Sequence, residues 1–144
     1  EGRLKEATAF RERQIAHLTG RIAAGSSDVK FQEHLIPARR ALGILLDIQG
    51  RSDQAIAVME AGVRDAERLT AIEPDNGIWR QFAAGARLEL AGRLISLNRP
   101  SAAADHVRSG CTSAAELRQR DPEAAAWRQL LTDCLTARAR LGLS

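Results

Sequence analysis

Ile78-Trp79-Arg80-Gln81 follows Glu73-Pro74, and Ala126-Trp127-Arg128-Gln129 follows Asp121-Pro122, 48 residues later. Shifting the chain by 48 extends the correspondence well beyond the tryptophans. Residues 31–78 set against 79–126 give ten identities without a gap: Ala38, Arg39, Leu42, Leu46, Arg51, Ala55, Gly62, Ala66, Leu69 and Pro74, each matched 48 positions on. Many of the identities fall at steps of three, four and seven, the spacing of one helix face. Gly2-Arg3, Ala7 and Ala9 fall in turn on Gly50-Arg51, Ala55 and Ala57, and Trp127-Arg128-Gln129 restarts the unit. The chain therefore divides into a half repeat (1–30), two full repeats (31–78 and 79–126) and a second half repeat (127–144). A period of this length belongs to repeat architectures, whose units bury their apolar faces against one another.

Each unit reads as two helices. The first type is expected at about 28–49, 76–97 and 123–142, with Asp28, Asn76 and Asp121 placed at or near the N-termini. The second type is expected at about 3–24, 52–72 and 100–120. Gly50 and Asn98 suit left-handed helix stops, and Pro100 suits a first helical turn. Pro74 and Pro122 end the second helices, while Gly25-Ser26-Ser27-Asp28 replaces that break in the first copy. Loops this short make neighbouring helices antiparallel. Pro37 lies inside helix 28–49 and is expected to kink or interrupt it. No strand pattern occurs, and the predicted fold is all-α, with about six helices. Only 3% of residues are aromatic, so the core must come from Leu, Ile, Val and Ala.

Around the first break the sequence runs Ala41-Leu42-Gly43, Leu46, Gly50-Arg51, Ala55, Met59 and Gly62. In order and spacing this resembles the tetratricopeptide repeat. The second copy, Leu90-Ala91, Leu94, Asn98-Arg99, Ala103, Val107 and Gly110, carries the same pattern with fewer matches. The unit here is longer than that family's usual 34 residues, by about two turns in each helix. The Pro-x-Asn-x-x-Trp-Arg connection at 74–80 resembles long-helix variants carried in tandem by bacterial multidomain signalling proteins. The resemblance implies antiparallel hairpins stacked as a right-handed superhelix, with the first helix of each unit lining a concave binding face. Counting back from Gly50 and Asn98 places Pro37, Arg40, Ile44, Asp47 and Ile48 on that face, then Gly85, Leu88, Gly92, Ile95 and Ser96. Of these, Arg40, Ile44, Asp47, Leu88 and Ile95 are the candidate partner-binding residues. Arg40 could pair with a carboxylate, and Ile44, Leu88 and Ile95 could hold an apolar side chain.

Residues suited to chemistry do not converge in the sequence. His17, His34 and His106 stand apart, with no i, i+4 ligand pair. No Ser or Cys has a neighbouring His and orienting acid, and no glycine run forms a phosphate-binding loop. The acidic residues read as solvated helix faces near arginines. Catalytic, cofactor and metal sites are therefore expected to be absent. Cys111 and Cys134 fit no CxxC or zinc spacing and read as small buried thiols of a reduced, cytoplasmic protein.

Net charge is +3, from 19 Arg and 2 Lys against 18 acidic residues. The arginines are interleaved with acids, so nucleic acid is the lesser of two expected partner classes. The first is a protein or peptide, or other domains of the same chain. No apolar run approaches the roughly 20 residues of a bilayer span. The opening Glu-Gly, without Met, is consistent with an excised piece of a larger multidomain protein or a processed product, from which a targeting signal could have been cut away. The sequence thus predicts one non-catalytic interaction scaffold over 1–144, the alternative being a nucleic-acid-associated regulatory domain using its arginines. Leu130, Leu131, Leu135 and Leu141 on the last helix add an expectation of self-association, or of a further helix beyond residue 144.

Overall fold

The computed structural model describes residues 1–143 and consists, over them, of helices and short connections. The helices are α1 (Gly2–Ala23), α2 (Val29–Ile48), α3 (Ser52–Ile72), α4 (Gly77–Ser96), α5 (Pro100–Arg120) and α6 (Ala125–Arg140). The all-α prediction holds, each predicted helix being present within a few residues of its expected ends. The chain forms two compact units, residues 1–71 and residues from 72 onward, rather than dividing at the repeat boundary 78.

Local chemistry explains the starts and stops. The Asp28 side chain accepts from Lys30 N–H and caps α2, and Asn76 accepts from Trp79 N–H and caps α4. Asp121 does not cap α6: its Oδ1 accepts from Glu123 N–H in the lead-in, and Ala124 holds the cap position without a side-chain bond. Gly50 (φ 74°) and Asn98 (φ 58°) both adopt the left-handed conformation. Beyond them Arg51 N–H donates to Leu46 C=O, and Arg99 N–H to Leu94 C=O, so the same Leu/Arg pair closes each stop. Pro37 does not interrupt α2. The helix loses one backbone donor there, while buried Leu35, Ile36 and Ala38 hold the turn from both sides.

In the first unit, Leu18 of α1 packs with Leu35 and Ala38 of α2, joined by Ile15, Ile22 and Phe31. Leu42 and Leu46 of α2 meet Ala55 of α3 in a second cluster. Close approach of α2 and α3 depends on small residues. A Cβ on Gly43 would lie 3.0 Å from Met59 Cγ, and Ala55 is wholly buried. Ala55→Leu should therefore overpack this seam and cost about 1–3 kcal/mol in chemical denaturation. A variant as stable as the parent would mean that the seam is not tightly packed at Ala55.

In the second unit, Gly110 of α5 faces Leu88 of α4; an added Cβ would come within 2.8 Å of Leu88 Cγ. Leu90, Val107, Ala114 and Leu117 are fully buried. The two cysteines correct the sequence reading. Cys111 of α5 and Cys134 of α6 form a disulfide, with Cα atoms 5.2 Å apart. They are separated by 23 positions, and antiparallel packing of consecutive helices brings them face to face. The expectation of a reducing, cytoplasmic setting rested on free thiols and loses that footing. No helix among the described residues is long and apolar enough to cross a membrane.

Candidate interaction surface

The outward stripe of α2 carries most of the sequence-predicted site. Burial of Leu35, Ala38, Leu42 and Leu46 fixes the helix from one side, leaving Pro37 and Arg40 exposed on the other. Ile44 and Asp47 lie along the same stripe and are half-buried. Ile48 closes the helix with 62% of its surface exposed, the largest value among the exposed apolar side chains. An apolar side chain at a fixed helix end, with Arg40 and Asp47 nearby, can anchor an apolar group and orient charged neighbours.

The α4 candidates are placed differently. Leu88 is only 6% exposed, seated against Gly110, and is part of the hairpin seam. Ile95 is half-buried. The face of α4 formed by Gly77, Gln81, Gly85, Gly92 and Ser96 is instead covered by α6. The Trp127 ring lies against Gly77, where a Cβ would be 2.9 Å from Cζ2, and its indole N–H donates to Gln81 Oε1 at 3.0 Å. Leu130 approaches Gly85, and Arg140 reaches over Gly92 to donate to Ser96 Oγ at 2.9 Å. Glycines make α4 a shallow trough that large side chains can enter. Gly85, Gly92 and Ser96 were expected on this face, but as positions open to a ligand; Gly77, Gln81 and Trp127 were not among the sequence-predicted site residues. The signal that could have found them is the repeated Trp-Arg-Gln phrase together with the glycines of α4.

A second feature was hidden because acidic residues on helices read as solvated. Asp65 of α3 is 2% exposed. Arg39 Nε–H donates to its Oδ2, and Arg68 donates to its Oδ1 at 2.7 Å. A cavity of about 110 Å³ opens beside this network, lined by Ile22, Gln32, Leu35, Asp65 and Arg68. Among the described residues none donates a hydrogen bond to the buried Gln32 Oε1. The cavity has room for water, and Gln32, Asp65 and Arg68 place polar groups in its mostly apolar lining. Forty-eight residues on, Gln32 and Arg68 correspond to Arg80 and Glu116, which form an ion pair between α4 and α5.

The three histidines lie on different helices, His17 and His34 exposed, His106 within 3.2 Å of an Arg87 nitrogen. Among the described residues no three His, Cys, Asp or Glu side chains converge as a metal site would require. Comparison with protein-family models, with curated proteins and with solved structures finds no match.

Proposed function

We propose that this chain is a non-catalytic protein-interaction scaffold, a tetratricopeptide-like helical-repeat module of a bacterial signalling or regulatory protein, and that the α2 stripe binds a helical segment of a partner. One observation carries the reading. Gly85, Gly92 and Ser96 of α4 stand at the register of Pro37, Ile44 and Ile48 of α2, and the α4 positions already receive a helix, α6. The same register on α2 ends in the exposed Ile48 and carries Arg40 and Asp47 alongside. A partner helix with an apolar side chain for Ile48 and Ile44, and an acidic group toward Arg40, fits this chemistry. Interleaved charges on every helix favour such a partner over nucleic acid.

Selection of displayed helical peptides against the protein tests the proposal. Selected binders should weaken at least about tenfold on Ile48→Asp, the loss expected when a buried apolar anchor is removed from an interface. The far-ultraviolet circular dichroism of the variant should match the parent. Binding should also persist as salt rises, whereas contact with a phosphate backbone would weaken steeply. Binders indifferent to Ile48→Asp, or none at all, would refute the α2 assignment.

A further inference from the structure

The disulfide stands at a register where the two units hold a helix differently. In the first unit α1 presents Ile15, Leu18 and Ile22 to Phe31, Leu35 and Ala38 of α2. Two repeats onward, the α5 residues at those positions are Cys111, Ala114 and Arg118, and the α6 residues are Trp127, Leu131 and Cys134. Three branched apolar side chains on one helix have become a cysteine, an alanine and an arginine. The covalent bond lies at the register of Ile15 and Ala38. These three α5 positions are less apolar and one of them carries the disulfide, while Leu117 and Leu130 stand buried at the registers of Arg21 and His34.

Apart from the disulfide, α6 is held by Trp127, Leu130 and Ala137 and by the Arg140–Ser96 bond. Its buried residues are Leu130, Cys134 and Ala137, one of them the cysteine itself. No side chain caps its N-terminus. With 16 residues, α6 is marginal as a helix without tertiary support. What it covers is the glycine-lined trough of α4. Access to the bond is one-sided: Cys134 is 2% exposed, and Cys111 is only half-buried.

We propose that Cys111–Cys134 is a redox clasp, and that its reduction by a dithiol releases α6 and uncovers the α4 trough. A reductant thiolate attacks the more accessible Cys111 sulfur, forming a mixed disulfide and expelling Cys134 as a thiolate that takes a proton from water. The second reductant thiol then attacks the mixed disulfide, leaving Cys111 as a thiol and the reductant as its own disulfide. Two electrons pass from the dithiol to the protein. Cys134 is then free to leave with α6, which retains Trp127, Leu130, Ala137 and the Arg140–Ser96 bond as its noncovalent attachments. The inference is independent of the α2 assignment, because it concerns α4, α5 and α6 alone.

Amide hydrogen exchange of the whole chain, oxidised and in dithiothreitol, tests it. Amides of 125–140 should exchange at least about tenfold faster on reduction, while α1–α3 and the α4–α5 hairpin keep their protection. Cys111→Ser/Cys134→Ser should match the reduced protein and ignore dithiothreitol. The proposal is overturned if α6 protection changes by less than about twofold, because the bond is then a passive brace. It is equally overturned if α4 and α5 lose protection together with α6, since the bond then supports the whole unit. Free thiols in the oxidised preparation, seen by mass and alkylation, would also end it.

Discussion

Asp65→Ala should destabilise the protein by about 3–5 kcal/mol, the cost of leaving a buried ionic partner without its counter-charge. The carboxylate is 2% exposed and the Arg39 side chain 18%, so the guanidinium cannot turn far into water when its partner is removed. Arg68, at 65% exposure, can leave the network at little cost, and its own truncation should be nearly silent. The contrast between Asp65→Ala and Arg68→Ala, read from denaturant midpoints, therefore separates the buried pair from the surface pair. Equal effects would mean that Arg39 finds another partner. A domain of this size has roughly 5–15 kcal/mol to lose, so Asp65→Ala should approach the limit of folding.

Leu69→Ala and Leu117→Ala should each cost about 2–5 kcal/mol. The two leucines are related by the 48-residue shift and both are wholly buried, one in each compact unit. Equivalent positions that do equivalent work should give losses of similar size. A severe loss at one and a near-neutral result at the other would show that the repeat persists in sequence without a shared role in packing. Urea unfolding followed by circular dichroism is sufficient, because both effects are large relative to the error of extrapolation.

The helices, their caps and their stops were legible because each depends on residues within one or two turns. Asp28 and Asn76 cap where sequence rules place them, and Gly50 and Asn98 stop where a left-handed residue was needed. What escaped the sequence depends on contacts between helices. Asp65 has the same local setting as a solvated acid; only the approach of α2 buries it against Arg39. Cys111 and Cys134 match no short motif, since two antiparallel helices rather than a loop bring them together. The candidate surface divided along the same line. Arg40, Ile44 and Asp47 share a stripe, as periodicity predicts, but Leu88 turns into the seam because Gly110 leaves room for it.

The unlike ion pairs of the two hairpins bear on how two near-copies avoid exchanging partners during folding. The α2–α3 hairpin is keyed by Arg39 and Asp65, and the α4–α5 hairpin by Arg80 and Glu116. An α2 helix that docked on α5 would set Arg39 opposite Ser113 and Gln32 opposite Glu116, with no counter-charge for the arginine. An α4 helix docked on α3 would bring Arg80 against Arg68 and leave Arg87 as the partner for Asp65. Apolar positions such as Leu42 and Leu90, or Leu46 and Leu94, cannot discriminate, since they are identical in the two copies. The polar positions can, because a mismatched pair puts a charge into the seam without its complement. A chain that repeats its hydrophobic face can therefore still tell its own helices apart.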